Sequence, residues 1–80
     1  MDDAQIRQRI EELVAEEHSL WDDEAQGGST TEDAARLAQL KVTLDELWDL
    51  LRQRRALRSV GQDPDRASIR DSGTVENYEQ

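Results

Sequence analysis

Apolar residues mark out two helices along this chain. Leu37, Leu40, Leu44, Leu47 and Leu51 recur in alternating steps of three and four. That spacing puts them on one stripe of a helix and predicts that the stripe lies against another helix. Ile6, Ile10, Leu13, Val14, Leu20 and Trp21 repeat with the same period, interrupted on their own stripe by Glu17. Between the two patterns, Gly27-Gly28 tolerates the left-handed backbone that closes a helix. Ser29, Thr30 and Thr31 then offer N-caps, and Glu32 and Asp33 suit the positive end of a new helix. The pattern predicts helices over about residues 3–25 and 32–60, and a break this short makes them antiparallel neighbours.

The outer boundaries carry signals of their own. Asp2 followed by Gln5 approximates a capping box at the start of the first helix. Gly61, with Asp63-Pro64 beyond it, stops the second, whose arginine-rich last turns suit the negative end of the helix dipole. Residues 1–61 therefore read as an all-α antiparallel two-helix hairpin, and residues 62–80 as an irregular acidic tail. A short turn around Val75 to Tyr78 is a candidate for docking onto the helices.

Folding the hairpin at the glycines sets Ile10 opposite Leu47, Leu13 opposite Leu44, Leu20 opposite Leu37 and Ile6 opposite Leu51. The two stripes then face one another without further adjustment. Val14, Trp21, Trp48, Leu50 and Leu57 fall beside the primary stripes, so one partner helix does not cover them. Two hairpins in a four-helix bundle would, and a homodimer is the expected state. In an antiparallel dimer, Arg52, Arg54, Arg55 and Arg58 would pair with Glu17, Asp22, Asp23 and Glu24 of the second copy. The expected interface comprises Trp21, Leu44, Trp48, Leu51, Arg52, Arg54, Arg55, Leu57 and Arg58, open also to an unidentified protein partner.

Composition narrows the class. Eighty residues make at most one domain, and a chain this short buries too little surface to be more than marginal alone. With no cysteine it has neither a disulfide framework nor a thiolate zinc site. No apolar run approaches the roughly 20 residues that span a bilayer, and Met1-Asp2-Asp3 does not open a secretory signal. The expectation is a soluble, cytoplasmic protein. Its net charge of −9 is unevenly spread. Nine acids against Arg7 and Arg9 load residues 1–26, whereas residues 27–61 hold six bases against five acids. Such acidity disfavours nonspecific contact with nucleic acid or anionic membrane.

The run Leu44-Asp45-Glu46-Leu47-Trp48-Asp49-Leu50-Leu51-Arg52-Gln53-Arg54-Arg55, with Gly61, Asp63-Pro64 and the closing Val75-Glu76-Asn77-Tyr78, resembles an actinobacterial family known as domain of unknown function 2630. The opening segment, with Ile6, Ile10, Leu13, Val14 and Glu16-Glu17-His18, is similar as well, so the resemblance covers nearly the whole chain. It implies a small actinobacterial cytoplasmic protein and brings no catalytic or binding residues with it. The Gly27-Gly28-Ser29 linker looks like its variable part.

Candidate chemistry is sparse. His18, with Glu16, Glu17 and Asp22 nearby, offers imidazole and carboxylate to a metal, but Ala15 stands where a paired Glu-x-x-His motif needs its acid. A solvated surface histidine is the plainer expectation, and neither metal nor cofactor is implied. The carboxylates from Glu11 to Glu24 lack a cleft that would set their pKa values apart, and no nucleophile triad or phosphate loop is present, so catalysis is not expected. The Arg52 to Arg58 cluster beside Trp48 is the best ligand surface, since arginine forks take phosphates or carboxylates and an indole stacks on a base. The expected function is a noncatalytic interaction or regulatory module acting through helix association. The alternative is a nucleic-acid-associated accessory protein that uses this basic end.

Overall fold

The computed structural model describes residues 1–70, which form two α-helices, one short 3-10 turn and no strand. Helix α1 spans Asp3–Ala25 and α2 spans Thr31–Ser59. The expected boundaries hold within a residue, and the caps explain why. Asp2 accepts from the Gln5 amide at 2.8 Å while the Gln5 side chain accepts from the Asp2 amide at 2.9 Å. Of the three hydroxyl candidates at the second start, Thr30 is the cap, paired reciprocally with Asp33.

Both helices end in the same way. The Gly28 amide donates to the Asp23 carbonyl and the Gly27 amide to the Glu24 carbonyl; at the second end Gln62 donates to Leu57 and Gly61 to Arg58. This is the Schellman arrangement, with a left-handed residue just past each cap. Gly27 and Gly61 fill that position at φ 77° and 76°.

The two apolar stripes meet in one core of Ile6, Ile10 and Leu13 from α1 and Leu40, Leu44, Leu47, Leu50 and Leu51 from α2. Asp3 hydrogen-bonds Arg54, which continues the expected facing of Ile6 and Leu51 by one more turn. Nearer the loop the core thins: Leu20 and Leu37 are only half-buried. There the helices are tied by Arg36, whose Nε and Nη2 donate to the two Glu16 carboxylate oxygens at 2.6 and 2.8 Å.

Residues 62–70 are less irregular than the periodicity suggests. Pro64–Arg66 form a 3-10 turn capped by Asp63, and the segment lies back along α2. Ala67 packs on the core. Leu50, expected to need a partner chain, is buried within this chain, in the region that also holds Ala67, Ser68 and Ile69. The candidate turn around Val75 to Tyr78 lies outside the described residues. The whole measures 50 × 25 × 16 Å, a rod little more than one helix thick.

Candidate interaction face

Two sets of arginines reside at the open end of the hairpin, and they do different work. Arg54 is 6 % exposed. Its Nε donates to Asp3, and its Nη1 donates to Asp65 at 2.9 Å and to the Pro64 carbonyl at 3.3 Å. Arg58 donates to the other Asp3 oxygen at 2.7 Å. These bonds, Arg58's first and Arg54's next, hold the Asp3 carboxyl at about 2. Within the chain, then, Arg54 and Arg58 share Asp3 as their carboxylate partner. They clamp the start of α1 to the end of α2 and to the 3-10 turn.

A second clamp sits on the side of α2 that faces residues 62–70. Asp49 is fully buried, and accepts from Arg70 through both oxygens and from Gln53 at 2.9 Å, with Arg52 at 3.9 Å. Burial pushes its pKa up; the Arg70 and Gln53 hydrogen bonds and the nearby guanidinium charges outweigh this and leave it lowered. Gln53 also donates to the Ser68 carbonyl at 2.7 Å. Sequence periodicity missed this site. Asp49 lies off the leucine stripe, and among the described residues it is Arg70 and Gln53 that hydrogen-bond it.

A groove of about 310 Å³ opens between the helices, lined by Asp3 and Arg7 of α1 and by Trp48, Leu51, Arg52, Arg55 and Arg58 of α2. Arg7, absent from the expected interface, lines this groove as well. Arg7 and Arg55 make no hydrogen bond or ion pair among the described residues. Trp48 stands 44 % exposed at the groove. Trp21 is 49 % exposed and stacks on His18 at a centroid distance of 5.6 Å.

Helical geometry joins these positions into one flank. Arg7, Val14 and Trp21 are spaced by seven, as are Lys41, Trp48 and Arg55 on α2, and a step of seven returns to the same side of a helix within about 20°. Because Arg7 and Trp48 border one groove, both stripes run along the same flank. Of the other expected interface residues, Leu44 and Leu51 belong to the chain's own core. Leu57 lines a separate hollow with Arg52, Gln53, Ala56 and Arg70.

Comparison with known proteins identifies a family but adds no chemistry. Uncharacterized proteins of Mycobacterium bovis and of Mycobacterium tuberculosis strain H37Rv are each 44% identical over 77 residues, covering 95% of this chain and 88% of the relative. No solved structure matches. The model of the family described as "Protein of unknown function (DUF2630)" matches residues 2–80, and the chain belongs to that family.

Proposed function

We propose that this protein is a noncatalytic interaction module that works by helix association, its exposed flank receiving another pair of helices to complete a four-helix bundle. The observation that carries the reading is the placement of Trp21 and Trp48. Both indoles are about half exposed on one side of a structure one helix layer deep, whereas stable domains bury their apolar faces between at least two layers. Tryptophan beside arginine is also the composition enriched at interface anchor points. Among the described residues, no helix is long and apolar enough to cross a membrane. The reading places the module in the cytoplasm, where its net charge of −9 keeps it soluble.

A photoreactive benzophenone residue in place of Trp48, expressed in an actinobacterial host, tests this directly. The expected result is a covalent protein adduct, with none from the same group in place of Gln8 on the outer face of α1. Absence of any protein adduct at position 48 would overturn the reading, and adducts to nucleic acid alone would replace it with a nucleic-acid accessory role.

A further inference from the structure

We infer that the occupant of the flank is a second copy of this chain lying antiparallel to the first, an assignment that rests on the helix-association reading. The charges are arranged for it. Arg7 and Arg55 stand at the open end, unengaged among the described residues, with Arg52 and Arg58 beside them. At the loop end Asp22, Asp23 and Glu24 close α1, and Glu32 and Asp33 open α2. A parallel pairing would set like charges together at both ends. Reversing one copy sets each basic end on an acidic end, and a two-fold axis makes every such contact twice.

Register supports the same orientation. Arg7 and Trp21 are equidistant from Val14 along the α1 stripe, each about 10 Å away at 1.5 Å per residue. An axis through Val14 therefore brings Arg7 of each copy over the other's Trp21 and Asp22, where the indole face and the carboxylate both attract a guanidinium. Val14, only partly covered by the hairpin core, packs on its own symmetry mate. Size agrees as well. A face as long as α1, about 34 Å at 1.5 Å per residue, and 25 Å wide offers on the order of 800 Å² per copy, the usual extent of a stable interface.

The test uses two charge-reversed chains. One carries Arg7→Glu and Arg55→Glu. The other carries Asp22→Lys and Glu24→Lys, at a helix C-terminus where cations are favourable, so its fold is retained; circular dichroism checks both. By sedimentation equilibrium the wild type is expected at about twice its 9.2 kDa chain mass. Each variant alone should dimerise at least tenfold more weakly, and an equimolar mixture should recover the dimer as a one-to-one heterodimer by native mass spectrometry. A wild type that stays monomeric at 100 µM overturns the inference, as does a mixture that fails to recover. If the monomeric wild type nevertheless gives a protein adduct at position 48, the second-copy assignment fails alone; with no adduct, the helix-association reading fails with it.

Discussion

Replacing Asp49 by alanine tests whether residues 62–70 are fastened to α2 or merely rest on it. The substitution removes one Gln53 hydrogen bond to a charged acceptor, worth about 1.5 kcal/mol, and the Arg70 pair. Arg70 is 39% exposed, so solvent screening leaves that pair at about 1 kcal/mol. Alanine returns about 0.5 kcal/mol in helix propensity. The net loss is then about 2 kcal/mol, against a total of roughly 4 to 12 kcal/mol for a chain of this size. Urea unfolding followed by circular dichroism at 222 nm, at equal chain concentration, measures it; the thermal midpoint should fall by about 10 °C. Arg70→Ala and the double variant complete the cycle, with a coupling of about 1 kcal/mol expected. A loss under about 0.5 kcal/mol for Asp49→Ala, or no coupling to Arg70, would refute the clamp.

Three further outcomes follow from the fold. Leu40 is fully buried at the loop-side limit of the core, so Leu40→Ala should cost about 3 kcal/mol in the same urea assay. Gly27→Ala forces a side chain into φ 77° and should cost about 1 kcal/mol; Gly28→Ala, whose added carbon meets only the Asp23 carbonyl at an ordinary 3.5 Å, should leave the unfolding midpoint nearly unchanged. Asp3 has its carboxyl lowered from 3.8 to about 2, so its contribution is complete above about pH 4 and fades as the pH falls through about 2. Asp3→Asn should flatten that part of the acid unfolding curve, and an unchanged curve would count against the clamp at the open end.

How far the sequence reveals this molecule depends on the range of each interaction. The helix limits follow from contacts within five residues, as with Asp2 and Gln5 or the glycines that follow the caps Gln26 and Val60, and these are legible in the chain. So is the core, because a three-and-four spacing puts Ile6, Ile10 and Leu13 against Leu40, Leu44, Leu47 and Leu51 with little freedom. Ion pairs between distant residues are not legible in this way. Arg54 meets Asp3 and Asp65, and Asp49 meets Arg70, through a tertiary path that periodicity does not encode. The arginine run at 52–58 was visible as a cluster, but only the fold divides it into residues engaged by Asp3 and residues facing the flank, and only the fold adds Arg7.

One hairpin completes its bundle with a second copy of itself, so its stability should depend on chain concentration. The urea midpoint of the wild type, measured by circular dichroism from 1 to 100 µM chain, tests this most directly. A midpoint that climbs with concentration, in step with formation of the dimer, is the predicted result. A midpoint that stays constant across that range, with sedimentation giving the single-chain mass throughout, would contradict it.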